Sequence, residues 1–89
     1  MIIKDEKTIE KLINIGVFGY DAEKIANITG IKLDEVKKQL ADENSQINKL
    51  MKKGRDVADY LIDLKLFEQA KNGNIQAMEK LDYRKRIRK

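Results

Sequence analysis

Not one proline interrupts these 89 residues, and apolar side chains return every three or four positions along most of the chain. Proline is the strongest breaker of helices, and three-to-four spacing aligns residues on one helix face. The chain is therefore expected to be helical throughout, punctuated only by glycines and by short polar residues that cap helix ends. At this length it has room for one small domain, or two very small units, and buries only a modest core.

The punctuation places the helices. Ile9, Leu12 and Ile13, with Ile2 or Ile3 behind them, predict a first helix from about Asp5 that stops at Gly16. Val17-Phe18-Gly19-Tyr20 is then a connector whose apolar residues are expected to plug the core. Asp21 is an N-cap for a helix over residues 22–29, although Lys24 stands where a full capping box has glutamate or glutamine. Gly30 makes the next turn, and Asp34 is expected to cap a third helix carrying Val36 and Leu40. Its stripe can run on through Ile47, Leu50 and Met51, with a break expected near Asn44-Ser45-Gln46. Lys52-Lys53-Gly54 reads as a hinge or weak point. A further helix is predicted from about Asp56 to Lys71, ended by Asn72-Gly73, and Asn74 caps the last one. A turn so short folds two helices back into an antiparallel hairpin.

Missing residue types exclude much chemistry. With no histidine and no cysteine, the usual zinc sites, thiol nucleophiles and Ser-His-Asp triads cannot be assembled. The five glycines are dispersed and form no phosphate-cradling loop. A carboxylate-only site is formally open, but nearly all the acids sit among lysines on helix faces, where solvated charge is the simpler reading. The expectation is a binding protein, not an enzyme, with no cofactor and no metal. The absence of a long apolar run argues against a membrane span, and the charged start Lys4-Asp5-Glu6 against a signal peptide, so a cytoplasmic location is expected.

Charge is unevenly placed. Arg84, Lys85, Arg86, Arg88 and Lys89 hold five of the 19 basic groups, leaving 14 against 15 acids in the first 83 residues. Such a tail attracts phosphate without sequence preference, or simply solvates a helix end favoured by the macrodipole; both readings are open.

The stretch from Ala22 to Leu40 resembles the helix-turn-helix pattern of bacterial and phage DNA-binding proteins. Ala26 is small where two helices cross, Gly30 turns the chain, and Ile31, Val36 and Leu40 anchor the second helix, with Ile25 and Ile28 completing the buried face. Thr29 departs from the pattern, where many members carry leucine. The exposed side of the second helix offers Lys37 and Lys38 for groove contact, with Lys32 nearer the backbone. Asp34, Glu35 and Asp42 lie among them, and the competing reading leaves the lysines solvating the helix and paired with Glu35 and Asp42. Gln39, Arg84 and Arg86 complete the candidate DNA-binding set.

The Asp56–Lys71 helix carries two apolar stripes. Val57, Tyr60, Leu61, Leu64 and Phe67 form one, while Ala58, Ile62, Leu66 and Ala70 form the other. A helix apolar on both sides must be buried on both sides, and a chain this short leaves the second stripe for self-association unless the first helix wraps back over it.

The order of these pieces is informative. After the helix-turn-helix come the basic step Lys52-Lys53-Gly54-Arg55, the run Leu66-Phe67-Glu68-Gln69-Ala70-Lys71-Asn72-Gly73-Asn74-Ile75-Gln76-Ala77-Met78, and a basic end. This resembles the small terminase subunits of tailed bacteriophages and prophages, over roughly residues 9 to 86. The resemblance implies a DNA-binding homo-oligomer, such as a ring, that recognises viral double-stranded DNA for packaging. It would hand that DNA to the large terminase subunit, the ATP-driven motor. Relatives often extend further at the C-terminus, where that motor is contacted.

The sequence thus predicts an all-α fold with a helix-turn-helix DNA-binding unit over residues 1–46, an oligomerising hairpin over 47–83 and a basic tail over 84–89. Two alternatives are a small transcription regulator binding an operator as a dimer, and a module that binds protein instead of DNA.

Overall fold

Four of the helices begin where a short polar side chain takes up an amide that the helix itself leaves unpaired, one of them through Ser45, which accepts from the Asn48 amide at 3.2 Å. Asp5 accepts from the Thr8 amide at 3.1 Å and its hydroxyl at 2.8 Å, Asp21 from the Lys24 amide at 2.9 Å, and Asn74 from the Ala77 amide at 3.0 Å. The Thr8 contacts hold the Asp5 carboxyl below the usual carboxylate range. In the computed structural model, which describes residues 1–88, every regular element among those residues is an α-helix. They are α1 (Glu6–Phe18), α2 (Ala22–Thr29), α3 (Leu33–Leu40), α4 (Gln46–Lys71) and α5 (Ile75–Ile87). None is long and apolar enough to cross a membrane.

Several boundaries differ from those expected. α1 runs through Gly16 and ends at Gly19, which takes the left-handed cap conformation at φ 70°. Val17 and Phe18 do not plug the core; Phe18 is 59% exposed, and only the adjoining Tyr20 packs against the interior. Asp34 does not cap α3: the cap is Lys32, without a side-chain hydrogen bond, and Asp34 lies in the first turn. Lys52-Lys53-Gly54 is no break either, because α4 is a single helix of 26 residues. The last helix continues through most of the expected basic tail, to Ile87. Lys89 lies outside the described residues.

The chain divides into two compact units, Met1–Val57 and a second that begins at Ala58. In the first, Leu12, Ile25, Val36 and Ile47, one from each of α1 to α4, are fully buried, joined by Ile3, Ile15, Ile31 and Met51. Burial of each large side chain is worth about 1.5–3 kcal/mol, which makes this cluster the main source of stability. Gly16 and Gly54 are buried in it. A methyl added to Gly16 would be driven into the main chain at Met51, and one added to Gly54 into the main chain at Ile13. The α1 and α4 backbones thus touch where they cross, and only a residue without a side chain fits. Between α2 and α3, Gly30 turns the chain at φ 78°, a conformation that costs other residues strain.

The second unit is held differently. Ala77 is its one buried hydrophobic residue among those described. Arg84 of α5 reaches back to Asp63 at 2.6 Å and Asp59 at 3.2 Å on α4, and Arg88 meets Asp63 at 2.6 Å. These pairs bring α5 alongside the second half of α4. Arg84 holds the Asp63 carboxyl below its usual range, with help from Arg88, and the pairing raises Arg84 in turn.

Candidate nucleic-acid interface

α3 divides cleanly into two faces. Val36 and Gln39 are buried, with Leu33 and Leu40 half-buried beside them, while Asp34, Lys37, Lys38 and Ala41 are exposed. Spacings of three, one and three residues place those four on one stripe of the helix surface. Lys32 is exposed just ahead of the first turn. The ion pairs among the described residues include none of these side chains, so Glu35 and Asp42 do not neutralise the lysines. Lys37 and Lys38 also lie in the last turn, where the helix dipole favours cations.

Gln39 is a correction to the expected site. At 7% exposure it faces inward and cannot present its amide to a groove. Its Nε2 donates to Glu35 at 2.9 Å, and its Oε1 accepts from the Ile47 amide at the start of α4. Periodicity offered the signal: residue 39 follows Val36 by three positions and so shares its face.

Gln39 belongs to a set of polar contacts that seats α3 on α4. Asn48 Nδ2 donates to the carbonyls of Gln39, Leu40 and Asp42 at 3.0, 3.1 and 2.8 Å, satisfying groups that the end of α3 leaves unpaired. The Ser45 hydroxyl donates to the Gln39 carbonyl at 2.7 Å and accepts from the Asn48 amide at 3.2 Å. The Gln46 amide clamps the N-terminal segment, giving and receiving one hydrogen bond with the Ile3 backbone at 2.7 and 2.6 Å. The exposed stripe therefore stands on a rigid base. Apolar spacing marked Ile47 but not the polar roles of Ser45, Gln46 and Asn48 around it.

The basic step in α4 belongs to the same surface. Lys52 and Arg55, together with Ala41, Glu43, Asn44 and Asn48, line an open cleft at the C-terminal end of α3. Lys52 is bonded to Asp56 at 2.7 Å, whereas Arg55 is exposed and in none of the ion pairs among the described residues. These two cations were missing from the expected site because the turn that brings them to α3 is set by capping contacts, not by sequence proximity.

The remaining candidates lie in the second unit. Arg84 is spent on Asp59 and Asp63, which leaves its guanidinium as a structural tie, while Arg86 is exposed. The expected oligomerising stripe is split. Ile62 and Leu66 line one groove with Tyr83 and Ile87, Ala70 lines another with Phe67, Met78 and Leu81, and Ala58 lines neither. Ile62 is 47% exposed; Ala58, Leu66 and Ala70 are half-buried.

Compared with known protein families, curated proteins and solved structures, this chain matches none.

Proposed function

We propose that this protein is a helix-turn-helix DNA-binding adaptor that works as a homo-oligomer, in the manner of a phage small terminase subunit. It would recognise viral double-stranded DNA for packaging by a large-subunit motor. The observation that carries the reading is the exposed α3 stripe with Lys37 and Lys38, seated on α4 and flanked by Lys52 and Arg55. α2, the Gly30 turn and α3 supply the pieces of a helix-turn-helix unit, whose second helix enters the major groove. Cations beside that helix neutralise phosphates and hold its register on the duplex.

Self-association is supported by the second unit. α5 and the part of α4 from Ala58 onward bury Ala77 alone among their described hydrophobic residues, which gives them little to hold them, since short helices depend on packing of an apolar face. Tyr60, Leu61, Phe67, Tyr83 and Ile87 are all exposed there, and subunit contact would cover them.

Duplex-DNA titration at two salt concentrations, together with solution mass, tests the whole reading. The expected result is affinity that falls steeply with salt in a species larger than one chain. A monomer that ignores duplex DNA at low salt would overturn it, and a symmetric dimer that binds would indicate operator recognition instead.

A further inference from the structure

The α3 stripe is not built as a plain phosphate binder. It sets Asp34 beside Lys37 and Lys38, and with the half-buried Glu35, which lies off the stripe, α3 as a whole has as many acids as lysines. A helix that only needed to hold phosphates would gain from losing the acids. Glu35 has a structural task, accepting from Gln39 at 2.9 Å. Asp34 makes no such bond among the described residues; its first-turn position suits an acid through the helix dipole but leaves both carboxylate oxygens open to an outside donor. Asp5, Asp21 and Asn74 each cap their helix, whereas α3 has no side-chain cap and Asp34 enters no ion pair or side-chain hydrogen bond among the described residues. It stands exposed at the N-terminal end of the stripe, ahead of Lys37, Lys38 and Ala41.

Resting on the reading that α3 enters the major groove of duplex DNA, we propose that Asp34 is a specificity residue that accepts a hydrogen bond from a cytosine amino group. Of the four bases, cytosine alone presents an amino donor there with no acceptor beside it on the same base, which suits a carboxylate. Adenine pairs its amino group with N7, whose lone pair repels a carboxylate. Lys38 follows Asp34 by four residues, about 6 Å along the helix, and offers a donor to guanine O6 or N7. Ala41 lies about 10.5 Å along from Asp34 and offers a methyl for contact with thymine. Acid, cation and methyl on one stripe are three chemistries that distinguish base pairs, whereas a carboxylate repels a phosphate.

The experiment is selection of bound duplexes from a random-sequence pool by the full chain, repeated with Asp34→Ala and Asp34→Asn. The wild type is expected to enrich sites with a cytosine at one fixed position. Asp34→Ala should lose preference at that position alone, with about tenfold or greater loss on the preferred site and equal or tighter binding to unrelated duplexes. Asp34→Asn should move the preference to adenine, because an amide can serve N6 and N7 together. Circular dichroism of each variant checks that α3 is retained; Asp34→Asn keeps the shape of the side chain, so its switch is readable even if the alanine variant loses structure. Selection by the wild type with no base preference would overturn the inference and leave DNA binding standing. Unchanged preferences in both variants would overturn it as well. No duplex recovered at low salt would overturn the DNA reading on which it rests.

Discussion

Gly16 of α1 and Gly54 of α4 flank a crossing where main chain meets main chain, with Met51 opposite the first and Ile13 opposite the second. Alanine is the better helix former by about 1 kcal/mol, so on propensity alone either substitution would stabilise. The crossing reverses that sign. Gly16→Ala and Gly54→Ala are each expected to destabilise the protein by about 1–3 kcal/mol, because the obstruction is backbone and cannot rotate aside. Urea denaturation measures this, and a gain in stability from either variant would show that the two helices do not touch there.

Gln39 and Asn48 make a second test of the α3 seating. Gln39→Ala removes the acceptor of the buried Ile47 amide, and Asn48→Ala removes the side-chain donor shared by the Gln39, Leu40 and Asp42 carbonyls, of which Gln39 and Asp42 keep other donors. Each change should cost about 1–3 kcal/mol. DNA base preference should not change with Gln39→Ala beyond the general loss of fold, since that side chain faces inward. A shift of preferred base at constant stability would return Gln39 to the interface.

Acid should loosen the second unit. Because Arg84 and Arg88 depress the Asp63 carboxyl below its ordinary value of 3.8, their contribution is complete above that value. It disappears as pH falls through the depressed native value. Asp63→Asn should therefore lower the thermal midpoint at neutral pH, and the gap from wild type should narrow as pH falls below 3.8. Melts followed by circular dichroism across that pH range decide it; a gap that does not narrow in acid would mean that the ion pairs are not its cause.

Removing Lys37 and Lys38 together by alanine should weaken duplex binding and leave helix content intact, since both side chains are exposed. The slope of log affinity against log salt should shrink by up to about 0.9 for each phosphate no longer neutralised. If the slope holds, the phosphates are met from elsewhere, with Lys52 and Arg55 the nearest cations.

Ile62→Glu with Leu66→Glu places two charges in the groove shared with Tyr83 and Ile87. If subunits join there, the variant should be a smaller species in solution that keeps its helices, because burying unpaired charge costs several kcal/mol. DNA affinity should fall with it, because a smaller assembly attaches at fewer points. An unchanged mass in a folded variant would remove this groove from any subunit contact.

Local chemistry was legible from the chain alone. Asp21, Gly30, Gly73 and Asn74 stand where the structure uses them, because a cap or a left-handed turn is decided by a few adjacent residues. Burial of Leu12, Ile25 and Val36 followed from helical spacing for the same reason, and that of Ile31 from its place just after the Gly30 turn. Gly16 and Gly54 did not, since a glycine that ends a helix and one that lets another backbone approach are the same letter in sequence. The difference lies in a partner helix about forty residues away. Gln39 and Asn48 likewise took their roles from the α3–α4 corner, and Arg55 gained a place beside α3 only because that corner brought it there. Helix positions come from short-range propensity and capping; which side chain faces solvent, core or another backbone comes from long-range packing, and only the folded chain sets that.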